Sequence, residues 1–392
     1  MVPQVITRLK NRLVFAILTG FSSLAYATED KPARYDFPTP VTEMARTQLS
    51  LHHLSLWICL AIALVVFGFM FYSMYAHRKS RGAVPAEFHE NTTVEVLWTV
   101  VPFTILIAMA IPATKSLIDY ENSTGSDMTV KVIGHQWYWE YEYVDPNTPD
   151  KDLNKPSKLR YKSNILPEHK EASLRNKDVK NIKNYLLEVD EPLVLPVNKR
   201  VRFLFKSEDV IHAWWVPQFG VKKDAIPGGY VTNAWTKVDK EGTYRGQCAE
   251  LCGTYHAYMP IVVKVVSETE FTEWQTRKVK ELSAGTSFSA TSASKEELMT
   301  LGKKSYETSC GGCHGMKGEG VGKTFPPLAG NAVANGDAKK HIDAVLKGRP
   351  GTSMGSFKSL SDSELAAIIT YERNAWGNKG SVVQPAQVKA AR

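Results

Sequence analysis

Two long apolar runs break an otherwise mixed chain. Leu54 to Tyr75, "LSLWICLAIALVVFGFMFYSMY", carries no charged residue. As a helix it is long enough to cross a hydrocarbon core of about 30 Å. Val96 to Thr114, "VLWTVVPFTILIAMAIPAT", is the second such run. Its Pro102 and Pro112 are compatible with a membrane helix, where neighbouring groups re-satisfy the freed backbone. From Met128 the period changes to two. "MTVKVIGHQWYWEYEY", "YLLEVDEPLVLPVNKRVRFLFKSED", "GYVTNAWTKVD" and "MPIVVKVVSE" are rich in β-branched and aromatic residues. Such runs separated by turn signals read as strands. With no helices alternating between them they predict an antiparallel β-sandwich over 128–270. The polar segment 145–183 reads as an excursion from its surface. A helix follows from Glu268 to Leu282, opened by a capping box of Ser267 and Glu270. "SAGTSFSATSAS" then reads as a flexible linker, Ser283 to Ser294. Beyond it, 295–379 reads as a compact helical unit. Capping boxes at Ser294/Glu297 and Ser361/Glu364 open its first and last helices. The tail 380–392 is expected to be disordered.

The flanks of the apolar runs orient the chain. Residues 1–27 place Arg8, Lys10 and Arg12 before an apolar stretch that ends in Ala25-Tyr26-Ala27, the layout of a secretory signal. His77, Arg78, Lys79 and Arg81 directly follow the first span. Basic residues there mark the cytoplasmic side. Both signals predict a hairpin with its two ends outside, within an N-terminal segment spanning 28–127.

Composition changes little in this picture. The net charge of +8, from 48 basic and 40 acidic residues in 392, is spread over several segments and gives no support for nucleic-acid binding. The five cysteines are more informative. Cys59 sits in the first apolar run and is expected to be a buried small hydrophobe. The other four form two close pairs.

"CGGCH", Cys310 to His314, is the C-x-x-C-H signature of covalent haem c. Two thiols add to the vinyl groups, and the adjacent His314 is placed to ligate the iron. A soft sixth ligand raises the potential of an electron carrier, which points to Met354 in "GRPGTSMGSF". Met316 lies too near His314 to reach the opposite face. His341 competes but is expected on a helix surface. The segment resembles a small all-α class I cytochrome c, with Gly302, Tyr306 and Tyr371 at the family's contact between terminal helices.

"GQCAELCGTYHAYMP" holds the other pair, with Cys248, Cys252, His256 and Met259 spaced 4, 4 and 3. That spacing would also suit one face of a helix. Gly246 and Gly253 interrupt it, Pro260 ends it, and the flanks read as strands, so a loop is predicted. Thiolates select copper, zinc or iron–sulfur, and a thioether fits the axial position of a cupredoxin copper site. The upstream imidazole is His212, in "IHAWWVPQFG". A second cysteine lets two thiolates bridge two coppers.

At this point the chain resembles subunit II of the haem–copper cytochrome c oxidases, with a cytochrome c domain fused at its C-terminus, a bacterial variant. The likeness covers the hairpin, "GHQWYWEYEY", "IHAWWVPQFGVKKDAIPG", the cysteine loop and the haem segment. It implies a dinuclear copper centre (CuA) held by His212, Cys248, Glu250, Cys252, His256 and Met259, with Glu250 binding through its backbone carbonyl. The Glu250 carboxylate is implied to face magnesium or manganese at the boundary with the catalytic subunit. Trp137 matches the family's electron-receiving aromatic, although it also reads as one of a strand face shared with Trp139 and Tyr141. Glu95 matches an acid at the mouth of a proton pathway. The implied partners are subunits I and III and a reduced cytochrome c as donor. The implied location is the bacterial inner membrane, with the copper and haem domains outside. An electron-input subunit of a nitric oxide or nitrous oxide reductase is the alternative, as is a stand-alone membrane-anchored carrier.

Overall fold

In the computed structural model the structure describes residues 36–392, apart from 86, 88, 146–147, 149–156, 176, 286–291, 323–324 and 359. The expected signal segment and the centre of the linker lie outside the described residues.

Both apolar runs are helices, α1 (Glu43–Ala76) and α2 (Thr92–Glu121). Each is longer than its apolar run because it continues into contact with the next domain. Thr42 caps α1 and also donates its hydroxyl to Phe219 O, while Met44 and Ala45 are buried. Gln48 donates to Gly220 O. At the far end of α2, Tyr120 donates to Lys222 O and Trp235 donates to Asp119 O. Between these anchors the apolar side chains face outward, and Cys59 is exposed, not buried. A lone hairpin has no apolar surroundings of its own to bury a span in, so its apolar surface suits lipid or a partner.

Among the described residues, ten strands form two five-stranded sheets. They are β1 (Met128–His135), β2 (Tyr138–Val144), β3 (Arg160–Ser163), β4 (Leu193–Pro196), β5 (Arg200–Ser207), β6 (His212–Val216), β7 (Val221–Ala225), β8 (Thr232–Lys237), β9 (Gly242–Cys248) and β10 (Pro260–Val266). One sheet runs β3-β2-β1-β5-β8 and the other β4-β10-β9-β6-β7. The expected all-antiparallel pattern does not hold, because β1 pairs with β5 and β4 with β10 in parallel. Parallel neighbours need long crossovers, and strand periodicity carries no information about partners. The core between the sheets is aromatic: Trp139, Tyr141, Phe203, Phe205 and Trp214 are fully buried.

The 145–183 excursion is not featureless. It contributes β3 to the sheet edge and a short helix, α3 (Pro167–Leu174). The helix predicted after the sandwich is α4 (Glu268–Gly285), with Glu270 N donating to Ser267 Oγ. Its Phe271 and Trp274 pack against Tyr143, and Trp274 also against Tyr161.

The C-terminal unit is helical: α5 (Lys295–Ser309), α6 (Gly311–His314), α7 (Ala332–Asn335), α8 (Ala338–Lys347), α9 (Asp362–Asn374) and α10 (Pro385–Ala391). Both capping boxes form. Helices α5 and α9 cross where Gly302 meets Ala367 and Tyr371, with Tyr306 and Tyr371 in ring contact at 5.5 Å. The tail is ordered rather than disordered. Val383 and Val388 are buried, Arg373 donates to Ser381 O, and Gln384 accepts from Ala293 N. These small anchors carry no periodic signal, so composition alone misread the segment.

Candidate copper and haem centres

The loop after β9 opens the first site. Cys248 ends β9, an irregular stretch carries Cys252, a single 3₁₀ turn spans His256–Tyr258, and β10 starts at Pro260. The helical alternative is thus excluded. Strand β6 supplies His212 from beside this loop, since Trp214 pairs with Cys248. A ring nitrogen of His212 and the sulfurs of Cys248 and Cys252 all lie within 4.8 Å of one another. The two sulfurs are 3.9 Å apart. Cys252 Sγ is 3.4 Å from His256 Nδ1 and 3.5 Å from Met259 Sδ. The Glu250 carbonyl oxygen is 3.4 Å from Cys248 Sγ. The six residues named from the sequence therefore converge.

The cluster has the electrostatics of a metal site. Hydrogen bonding from Cys252, opposed by burial and helped by His212 and nearby backbone, lowers the Cys248 thiol, and Cys252 is raised as its partner in the same hydrogen bond. His212 is fully buried, and its Nδ1 has no nitrogen or oxygen partner. Its Nε2 lies 2.8 Å from Asp209 Oδ1. A carboxylate on the far ring nitrogen fixes a ligand imidazole and raises its basicity. Sulfur, imidazole and thioether donors around one point, with one buried nitrogen left open, fit copper. Asp209 went unnoticed in the sequence, although an acid three residues before a ligand histidine could have flagged it.

Trp137 does not share a strand face with Trp139 and Tyr141. "GHQWYW" is the turn of the β1–β2 hairpin, and Trp137 sits in that turn. Its indole N–H reaches Cys252 O at 3.2 Å, beside Gln136 Nε2 on the same oxygen at 2.8 Å. Trp137 thus touches the copper loop directly and packs edge-on against Tyr255 at 4.8 Å.

The second site is the short helix α6. Cys310 is buried, Cys313 half-buried, and burial raises the Cys310 thiol well above its ordinary range. His314 Nδ1 lies 2.8 Å from Pro326 O, in the "FPPLAG" loop. That contact assigns the proton to Nδ1 and frees Nε2 for iron. Met354 is half-buried against the helical core, on the loop between α8 and α9. Met316 instead packs beside Gly311, on the attachment turn itself. His341 is on a helix as expected but is buried, not on the surface, with Nε2 at 2.8 Å from Glu372. That pairing gives it a structural occupation. Two free thiols and an oriented imidazole fit haem c.

Glu95 lies in the first turn of α2, where its carboxylate accepts the Asn91 backbone N–H at 3.3 Å. It therefore helps cap the helix.

The cytochrome C oxidase subunit II periplasmic-domain family model matches residues 128–266, and the transmembrane-domain model of the same subunit matches 31–115. A model described as cytochrome C oxidase, cbb3-type, subunit III matches 297–371. A probable cytochrome c oxidase subunit 2 of Rickettsia bellii is 37% identical over 69% of this chain and 94% of its own length. The chain belongs to the cytochrome c oxidase subunit 2 family. The family member of Cereibacter sphaeroides is 39% identical over 55% of this chain and 71% of its own. Among solved structures, the periplasmic domain of subunit II of cytochrome oxidase (CoxB) of Bradyrhizobium japonicum is 38% identical. It covers 41% of this chain and 99% of that one, with a TM-score of 0.33. As a cytochrome c oxidase subunit 2 with a fused cytochrome c domain, the chain is a membrane-anchored part of a haem–copper oxidase. Copper and haem are the cofactors that its two domains imply.

Proposed function

We propose that this subunit receives electrons for a bacterial respiratory oxidase, taking them from a reduced cytochrome and delivering them to the catalytic subunit that reduces oxygen and pumps protons. The observation that carries the reading is the meeting of two donor sets in one chain: sulfur, imidazole and thioether in the β9–β10 loop, and the C-x-x-C-H turn docked against that loop. His212, Cys248, Cys252, His256, Met259 and the Glu250 carbonyl would hold two coppers, which supply delocalised one-electron storage. Cys310, Cys313, His314 and Met354 would hold haem c, which supplies one-electron exchange with the donor.

The chain's own groups prepare both sites. Asp209 orients His212, and Pro326 orients His314. The aromatic core shields the copper loop from water on its sheet side. Trp137 touches the Cys252 carbonyl and is a contact between the copper loop and its outer face. The Glu250 side chain and the neighbouring Leu251 are exposed, with Leu251 at 79%. An apolar side chain and a carboxylate presented together on a cofactor loop suit the catalytic subunit's face, with magnesium or manganese bound by that carboxylate. The remaining contacts of the hairpin would be with subunits I and III in the bacterial inner membrane. Glu95, on the cytoplasmic end of α2, would sit at the mouth of a proton pathway in addition to capping its helix. The test is metal and haem content of the purified complex together with oxygen uptake. The expected result is two coppers and one covalent haem on this chain, with oxygen rather than nitrogen oxides consumed. A chain isolated without copper, or without haem-a-type pigments beside it, would overturn the reading.

A further inference from the structure

The structure seats the haem domain against the copper loop, with Tyr255 OH 3.4 Å from Cys313 Sγ. We propose that β3 and α3 of the 145–183 insert form an internal docking cradle that holds this chain's own haem-attachment turn on the copper loop, with Tyr255 as the positioning residue at the contact. The inference rests on the reading of both sites as cofactor centres.

Helix α3 touches both loops at once. On the copper side, Ser173 Oγ lies 2.9 Å from Tyr258 OH, and Lys170 Nζ stands 5.3 Å above the Tyr255 ring. On the haem side, Arg175 Nη2 pairs with Glu319 at 2.9 Å. Gly312 of the attachment turn lies against this helix: a Cβ there would lie 2.5 Å from Lys170 Cδ, so a large side chain would displace that lysine. A third contact lies farther out, where Lys162 of β3 meets Glu364 of α9 at 2.8 Å.

Tyr255 sits at the centre. It precedes His256 in the copper loop and is buried. Its hydroxyl is 3.4 Å from Cys313 Sγ, the sulfur that would carry the haem thioether, and its ring meets Trp137 and Tyr258. Trp137, Tyr255 and Cys313 therefore form a continuous line from one cofactor loop to the other. A soluble donor would then deliver to the haem domain, whose attachment turn meets the copper loop at Tyr255.

Carbodiimide coupling of the purified, cofactor-loaded complex tests this, because the reagent joins a lysine to a carboxylate only where they touch. Both Lys162 and Glu364 are partly exposed and within reach. Peptide mapping should find Lys162 joined to Glu364 as the main product between the two domains. Arg175→Glu, Gly312→Leu and Tyr255→Ala should each lower its yield at least five-fold while copper and haem contents hold. Tyr255→Phe, which keeps the ring contacts, should restore most of it, and Glu319→Arg should rescue Arg175→Glu. A loaded wild-type complex without the Lys162–Glu364 product overturns the cradle alone. Yields unchanged in all three variants overturn the roles of α3 and Tyr255. Absence of copper or haem overturns the underlying reading instead.

Discussion

At the scale of residues, the two cysteines of the copper loop are not equivalent. Cys248 lies beside the Glu250 carbonyl, whereas Cys252 is the sulfur that also meets His256 and Met259. Removing Cys252 therefore takes away the sulfur that those two donors share. Cys252→Ser should abolish the near-infrared absorption and mixed-valence EPR signal expected of dinuclear copper, and an unchanged spectrum would remove Cys252 from the site. Asp209 acts one step away through His212. Asp209→Asn should weaken copper binding by about 10–100-fold, read by competition with a chelator, while leaving the haem spectrum intact. The ligand residues were legible because each is a chemically distinct type at a fixed spacing. Asp209, Gln136 and Tyr255 were not, because ordinary residue types acquire a role only through where the fold brings them.

At the scale of elements, the outer face of the β3-β2-β1 ladder is closed by charge. Glu140 on β2 is buried against His135 of β1 and Arg160 of β3, with Arg160 Nε at 2.6 Å. Burial alone would raise its carboxyl, but the hydrogen bonds and charges of His135 and Arg160 bring it down to about 2. A depressed acid stabilises the fold above its unfolded value near 4.5, and that contribution is lost as pH falls through about 2. Glu140→Gln should cost about 3 kcal/mol at neutral pH. In calorimetry of the complex, the gap from wild type should close between pH 4.5 and 2; a constant gap would show that the charge plays no part. The strands themselves were readable from alternation. Their pairing was not, since the parallel β1/β5 and β4/β10 neighbours are fixed by contacts far apart in sequence. The hairpin turn at Trp137 hid inside a run that looked like one strand, because neither Gln136 nor Trp137 is a turn residue.

At the scale of the whole molecule, the sequence divides legibly into hairpin, sandwich and helical domain, because each has its own period and length. How the domains sit together was not legible, since it depends on surface residues of the insert and on the tail that composition suggested would be loose. At 1.5 Å per residue, the 34 residues of α1 span about 51 Å, against a hydrocarbon core of about 30 Å. Both helices end in hydrogen bonds to the sandwich, at Phe219 and Gly220 for α1 and at Lys222 and Trp235 for α2. Two helices bonded to the sandwich at their outer ends make a two-post mount, so the height of the copper loop over the bilayer is set by residue count. One alanine inserted at position 50 and another at position 116 should raise that loop by about 1.5 Å. Stopped-flow reduction should then find copper filling at its normal rate and the catalytic haems lagging behind it. Equal rates for both would mean that the mount bends.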